Sequence, residues 1–175
     1  KVKNIDLRRK TGYKPRKKDV APSLGFQNQE YRQMRTYDDY TKALGITFAE
    51  HEVVEMDTVV GCEGSKKAFL TLYFRNCKCL LIFLMPDKTA ASVKTVFDRL
   101  EKKLGTLTFC SLFSVIITDR GGEFQNPEDL ETGINNIIRT SIYYCDPMIS
   151  NQKGGIVEVH MLRAFFLHQS HSFIF

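Results

Sequence analysis

The stretch "LFSVIITDRGGEF", residues 112–124, decides the fold because it joins a short apolar run to an acid at its end. Its β-branched residues are typical of a buried strand, and Gly121 and Gly122 stop that strand. Asp119 therefore lies at the carboxyl end of the strand. Ligand sites in open α/β sheets usually lie just beyond the carboxyl ends of strands. The stretch predicts an α/β fold with a polar site at this edge of a sheet.

Three apolar runs upstream predict three further strands joined by hairpins. They are "EVVEMDTVV" (52–60), "KAFLTLYFRN" (67–76) and "KCLLIFLMPD" (78–87), the first of them alternating and β-branched. Hairpin-linked strands followed by an alternation of helices and strands predict a mixed sheet with helices packed on it.

The clearest helix pattern lies between these hairpins and the opening stretch. Apolar residues recur there at helical spacing and form one stripe: Val93, Val96, Phe97, Leu100 and Leu104. Either Asp87 or Thr89 is available as the N-cap, and Gly105 as the C-cap. A short helix is predicted around residues 37–44, and "TSIYYCDP" (140–147) predicts a last strand. The predicted order is β-β-β-α-β, an intervening segment, then β-α.

Asp57 is the second acid that calls for an explanation, since it stands in the middle of the first predicted strand between Met and Thr. Buried aspartate is rare unless it is paired or binds a metal. If the first and fourth strands are neighbours, Asp57 and Asp119 converge, and a divalent cation would relieve their repulsion. Two Mg²⁺ ions about 4 Å apart can hold both the attacking and the leaving oxygen of a phosphoryl transfer. A structural interpretation stays open for each acid, with Asp57 capping a bulge and Asp119 making an Asx turn.

Charge divides the chain into a basic start and a mildly acidic remainder. The first 18 residues hold nine Lys and Arg against one Asp, a charge of +8, and since the whole chain carries +5 the remainder carries −3. Such a chain suits a phosphate-bearing partner for the basic arm and a cation site in the body. A solvated, disordered basic end is the alternative interpretation.

Cysteines and hydropathy set further limits. The five cysteines, at positions 62, 77, 79, 110 and 145, show no paired CxxC or HxxxH spacing, so we predict reduced core thiols in a cytosolic protein and no zinc site. The longest apolar run, residues 79–85, is far below the ~20 residues needed to cross a bilayer. We therefore predict no membrane partner.

Several segments, in this order, resemble the catalytic half of transposases of the IS-thirty insertion-sequence family, which belong to the DDE transposase and retroviral integrase superfamily. They are "EMDTVVG" (55–61), "FLMPDKTAASV" (83–93), "VFDRLEKKLG" (96–105), "IITDRGGEF" (116–124) and "YYCDPMISNQKGG" (143–155). The D-x-G-x-E-F pattern that starts at Asp119 is a specific element of this resemblance.

The resemblance implies an RNase H-like, integrase-core fold with a mixed five-stranded sheet and flanking helices. It implies two Mg²⁺ or Mn²⁺ ions and the cutting and joining of transposon ends, with Asp57 and Asp119 as catalytic, metal-binding acids. Glu123 matches the acid of the same motif and is expected to support the site. The implied partners are transposon-end and target DNA and further copies of the chain on that DNA, in the bacterial cytoplasm and nucleoid. The domain prediction is an arm or linker over 1–50, the catalytic domain over 51–167 and an atypical tail over 168–175.

The third acid departs from the family pattern. Gln152, Lys153 and Gly154 match the segment that leads into the catalytic helix, but Val157 stands where the acid belongs and Glu158 comes one residue late. One residue is about 100° of helix rotation, and the alternation of "GIVEVHML" (155–162) fits a strand as well as a helix. Glu158 is the candidate third catalytic and metal-binding acid. The tail also differs from the family, which indicates a truncated or frameshifted copy.

Two further positions bear on the site and its partner. Arg120 stands where the family usually has Asn, and it is expected to compete with a metal beside Asp119. The cations predicted to contact DNA phosphates are Arg8, Arg9, Lys10, Lys14, Arg16, Lys17, Lys18 and Lys153. Two functions stay open: a transposase catalytic domain impaired by a displaced third acid, and an inactive nucleic-acid-binding remnant.

Overall fold

A computed structural model of the chain describes residues 30–47, 49, 52–60, 66–147 and 149–156. Its centre is a five-stranded sheet in the order β3-β2-β1-β4-β5. The strands are β1 (Val53–Val60), β2 (Ala68–Phe74), β3 (Cys79–Met85), β4 (Val115–Thr118) and β5 (Ser141–Tyr144). The three hairpin-linked strands pair antiparallel, whereas β1 with β4 and β4 with β5 pair parallel. The predicted α/β class, a mixed five-stranded sheet with flanking helices, is confirmed.

Four α-helices of the described ranges flank the sheet: α1 (Tyr37–Ala43), α2 (Ala90–Leu104), α3 (Thr106–Leu112) and α4 (Pro127–Glu131). The predictions of α1 and α2 are confirmed. Thr89 is the N-cap of α2, since its hydroxyl accepts from the Ser92 N–H, and Gly105 is the C-cap at φ 82°. That backbone angle favours glycine.

Helix α3 was not predicted, and the strand expected over residues 112–124 is shorter than its apolar run. The α3 sequence "TLTFCSL" is poor in strong helix formers, and the helix has no side-chain cap. It forms because Phe109 packs in the core against Phe97 and Phe113, at ring-centroid distances of 5.8 and 4.7 Å. Tertiary packing thus determines this helix, and helix propensity does not.

The two faces of the sheet differ in character. Alternate residues of β1 point to opposite faces, so Val54 and Met56 join the large core beneath α2 and α3. The second face carries a smaller cluster around Tyr40 of α1. Glu55 and Asp57 follow the alternation onto this second face. The larger core therefore supports the sheet from one side and leaves the other side for the acids.

A buried ion-pair network ties α2 to the segment that enters β5. The Arg139 guanidinium lies 2.8 Å from an Asp98 oxygen and 2.9 Å from a Glu101 oxygen, and it also donates to the Leu130 carbonyl at 2.7 Å. Burial raises the pKa of Glu101, but hydrogen bonds, including that from Arg139, outweigh it and hold this pKa below the ordinary value. The stabilisation by Glu101 is therefore fully present above the ordinary carboxyl pKa and is lost as the pH falls through the lowered one.

Cysteine placement corrects part of the prediction. Cys77, Cys79, Cys110 and Cys145 are all free, but Cys77 and Cys79 are exposed and Cys110 is half-buried, so of these four only Cys145 is a core thiol. Cys62 lies outside the described residues. Cys77 and Cys79 lie at the turn before β3 and at its first residue, on the edge of the sheet. Burial raises the pKa of the Cys145 thiol to about 12, so this thiol stays neutral at physiological pH. In the described part of the chain, no helix is long and apolar enough to span a bilayer.

We predict that Arg139→Met destabilises the protein by about 3–5 kcal/mol, because it leaves the buried Glu101 carboxylate without its cation, whereas Asp98 keeps its ion pair with Lys94. Arg99→Met is the matched control, since Arg99 is exposed and only lies 6.0 Å over the Phe83 ring. Its expected cost is below about 1 kcal/mol. Urea denaturation followed by circular dichroism measures both, and equal midpoints for the two variants would contradict the prediction.

Candidate active site

Asp57 and Asp119 meet at the end of two adjacent strands. The parallel register pairs Glu55 with Ile117, so Asp57, two residues further along β1, lies level with Asp119 just beyond β4. The Oδ2 atoms of the two acids lie 3.5 and 3.8 Å from one point, the Lys153 ammonium nitrogen. The predicted convergence of the two carboxylates is therefore present in the fold.

Each acid accepts a hydrogen bond from a backbone N–H through its other oxygen. Asp57 Oδ1 accepts from the Thr58 N–H at 2.8 Å, and Asp119 Oδ1 accepts from the Gly121 N–H at 2.9 Å. The bond to Gly121 is the Asx turn that remained open for Asp119. The bulge considered for Asp57 is wrong, because β1 pairs with β2 without interruption from Val54 to Val60. In both acids one oxygen fixes the side chain and the other is directed to the shared point.

Lys153 supplies the charge between the acids. It ends a short 3₁₀ turn (Ser150–Lys153) and is 8% exposed. Its ammonium donates to the Met56 carbonyl at 3.2 Å in addition to its two ion pairs. The structure thus places Lys153 inside the acid pair, and its predicted contact with DNA stays a prediction.

Arg120 does not take that position. Its Nε donates to the Cys145 carbonyl at 3.0 Å and its Nη2 pairs with Asp146 at 3.2 Å. The expectation that Arg120 stands beside Asp119 as a competing cation is wrong, because these two partners direct the guanidinium toward the end of β5. Lys153, 33 residues further along the chain, is the cation that contacts the acids.

Glu123 lies under the turn that follows Asp119 and packs against it. It is buried, its Oε1 accepts from the Thr58 hydroxyl, and the Lys88 ammonium lies 3.3 Å away. A Cβ added at Gly121 would lie 2.7 to 2.9 Å from the Glu123 carboxylate. The carboxylate therefore fills the space under this turn and links it to β1.

Glu55 and Arg75 form an ion pair at the site that was not predicted from the sequence. Glu55 is 1% exposed, pairs with the Arg75 Nε at 2.7 Å and accepts from the Ile156 N–H, also at 2.7 Å. Arg75 also donates to the Gln152 carbonyl at 2.7 Å. The pair therefore anchors the segment that carries Lys153 onto the sheet. A second acid at i−2 from Asp57, on the same face of an apolar strand, was the available signal.

Several predicted site residues lie outside the described residues. They are Glu158 and the arm cations Arg8, Arg9, Lys10, Lys14, Arg16, Lys17 and Lys18. Residues 154–156 are helical, so the strand considered from Gly155 onward is wrong at least for its first two residues. The role of Glu158 stays a prediction.

The two converging carboxylates suit a hard divalent cation. Mg²⁺ binds through one or two carboxylates and completes its shell with water and phosphate oxygens, and Asp57 and Asp119 offer such oxygens at one point. Within the ranges that the structure describes, no three His, Cys, Asp or Glu residues gather as a metal-binding group. The donor set there fits magnesium or manganese bound partly by solvent or substrate.

Comparison with known proteins finds distant structural neighbours. No family model matches the chain, and no curated protein matches it. The catalytic core domain of BIV integrase is similar at a TM-score of 0.43 and 16% identity, over 63% of this chain and 64% of that one. A chain of the simian T-cell lymphotropic virus intasome in complex with PP2A regulatory subunit B56 gamma is similar at a TM-score of 0.49 and 13% identity, over 71% of this chain and 44% of that one. The chain thus spans less than two thirds of either neighbour, and a likeness this distant assigns no function.

We predict that Gly121→Ala destabilises the protein by about 1–3 kcal/mol, because its methyl group collides with the pinned Glu123 carboxylate. Gly122→Ala is the matched control, because the nearest atom to its added Cβ lies 4.0 Å away. This control is expected to be neutral or up to about 1 kcal/mol stabilising. Thermal unfolding measures both, and a similar destabilisation of the two variants would refute the role of Glu123 under the turn.

Proposed function

We propose that the chain is the catalytic domain of a transposase of the IS-thirty type, acting on DNA in the bacterial cytoplasm by metal-dependent phosphodiester hydrolysis and strand transfer. The observation that carries this proposal is the convergence of Asp57 and Asp119 on one point at the carboxyl ends of two parallel strands. The chain order of these acids, the D-x-G-x-E-F motif around the second and the mixed sheet support the same family.

Asp57 and Asp119 would hold Mg²⁺ or Mn²⁺, and Glu158 would be the third ligand. Two such ions, when bound, would lower the barrier by stabilising the attacking and leaving oxygens of the phosphoryl group. The residues of the chain would hold the metal ligands in position. The hydrogen bonds from Thr58 and Gly121 preset both carboxylates, so little reorganisation is needed when a cation binds.

The site is open enough for a nucleic-acid strand. The Asp119 side chain is 50% exposed and that of Asp57 is 22% exposed, so a phosphodiester can reach both from the second face of the sheet. The basic arm over residues 1–18 would contact backbone phosphates, which positions DNA without selecting sequence. Several copies of the chain would assemble on the transposon ends and the target.

A second candidate function is an inactive DNA-binding remnant of such a transposase. One observation favours it specifically: an internal ammonium, that of Lys153, lies between the two acids. An ammonium that never leaves would exclude metal from the pair. The two candidates therefore differ in whether the acids bind a divalent cation.

We predict that the protein binds Mn²⁺ and that the double variant Asp57→Asn with Asp119→Asn abolishes this binding, because the variant removes both anionic ligands. The matched control is Asp38→Asn with Asp129→Asn, which changes the same charge at two exposed positions and is expected to alter affinity by less than about twofold. Isothermal titration calorimetry measures all three proteins. No heat from the unmodified protein, or equal binding by the first double variant, would rule the catalytic proposal out.

We also predict weak Mn²⁺-dependent nicking of plasmid DNA that is abolished in Glu158→Gln, because a displaced third acid still holds the second ion better than an amide. Neutralising the seven arm cations is expected to make DNA binding less sensitive to salt. The slope of log binding constant against log salt concentration should become less steep by about 0.9 for each phosphate that the arm no longer neutralises. Nicking assays and fluorescence anisotropy at several salt concentrations measure these effects. Steep, salt-dependent binding with no nicking at any Mn²⁺ concentration would select the remnant, and full nicking by Glu158→Gln would show that the third acid lies elsewhere.

A further inference from the structure

Lys153 is bound to the acid pair by charge more than by hydrogen bonding. The Met56 carbonyl, at 3.2 Å, is its hydrogen-bond acceptor, and the two carboxylate oxygens lie further away, at 3.5 and 3.8 Å. The residue is only 8% exposed. The ammonium is therefore central to both acids and tightly bonded to neither.

The backbone that carries Lys153 is firmly seated. On one side the Gln152 side-chain amide accepts from the Asp146 N–H at 2.7 Å and donates to the Asp146 carboxylate at 3.0 Å, and the Gln152 backbone carbonyl accepts from Arg75. On the other side the buried Glu55 carboxylate accepts from the Ile156 N–H. These contacts fix the backbone of Lys153 next to the acids. The lysine side chain itself is a flexible hydrocarbon chain, so its ammonium can change position while the backbone stays in place.

Charge balance decides what this ammonium does when a divalent cation arrives. Two carboxylates that share a site repel each other, and one ammonium neutralises half of their charge. A divalent ion at the same oxygens neutralises all of it but repels the ammonium strongly at this distance. Both cations therefore cannot occupy the shared point together.

We propose that Lys153 is the internal counter-ion of the Asp57–Asp119 pair and that a divalent cation binds there only by displacing it. This inference rests on the proposed function, since it assumes that the pair is the metal site. The fold is then held together at this edge without metal, and metal binding is weakened by competition with an ammonium that the chain itself supplies.

The test is calorimetric titration of Mn²⁺ into the unmodified protein, Lys153→Met and Lys102→Met. Methionine keeps most of the side-chain length and removes the charge, so Lys153→Met is expected to bind Mn²⁺ about tenfold or more tightly. Lys102 is exposed on α2, and its variant controls for net charge with an expected change of less than about twofold. If the unmodified protein and Lys153→Met bind equally well, or Lys153→Met binds more weakly, the inference fails while the proposed function stands. If neither binds Mn²⁺, both fail.

A measurement on the unmodified protein covers the case in which Lys153→Met does not fold. Acetylation of lysines, followed by mass spectrometry, is compared with and without saturating Mn²⁺. Displacement is expected to raise the labelling rate of Lys153 several-fold relative to Lys102. Unchanged protection of Lys153 in the presence of bound Mn²⁺ would overturn the inference.

Discussion

The parallel pairing of β1 with β4 is the constraint on which the rest of the structure depends. It places Asp57 level with Asp119, although the two lie 62 residues apart in sequence, and it gives both side chains the same face of the sheet. The large core under α2 and α3 holds the pairing in place from the opposite face through Met56 and Ile116. A one-residue slip would move every β1 side chain to the other face, so the position of the acids is as strongly determined as that of the core.

Three carboxylates on one face, those of Glu55, Asp57 and Asp119, then require cations, and the chain supplies them from distant segments. Arg75 of the segment after β2 pairs with Glu55, and Lys153 pairs with Asp57 and Asp119. Leaving the buried Glu55 carboxylate without its cation would cost several kcal/mol. The same charges that create a site for cations therefore also seat residues 152–156 onto the sheet. Site and fold are coupled here because one set of carboxylates serves both.

The elements with strong local patterns were predictable from sequence. The apolar stripe of α2 and the three hairpin strands follow from spacing alone, whereas spacing left the N-cap of α2 open between Asp87 and Thr89. Asp57 was located because a charge in an apolar strand needs an explanation, and Asp119 because it follows the end of one. Helix α3 was missed because the packing of Phe109 creates it, against its weak helix propensity. The contacts of Lys153 and Arg120 could not be predicted from the sequence either. Which cation contacts an acid depends on where the backbone of a segment about 100 residues away is anchored, and spacing along the chain carries no information about that.

Because Lys153 lies at the acid pair, the two candidate functions differ in one free energy, that of replacing its ammonium by a divalent cation. A catalytic domain and an inactive remnant share the sheet, the acid pair and the basic arm, so none of these features separates them. What separates them is the preference of the pair for its own ammonium or for an external divalent cation. The internal ion is always present, but it brings one positive charge to a pair that carries two negative charges, and its longer contacts give up little when they break. The DNA strand adds phosphate oxygens to the shell of a bound cation, and it offers the displaced ammonium a new anion. Substrate therefore shifts the balance toward metal, and the acid pair is expected to bind metal more tightly when DNA is present than in the isolated protein.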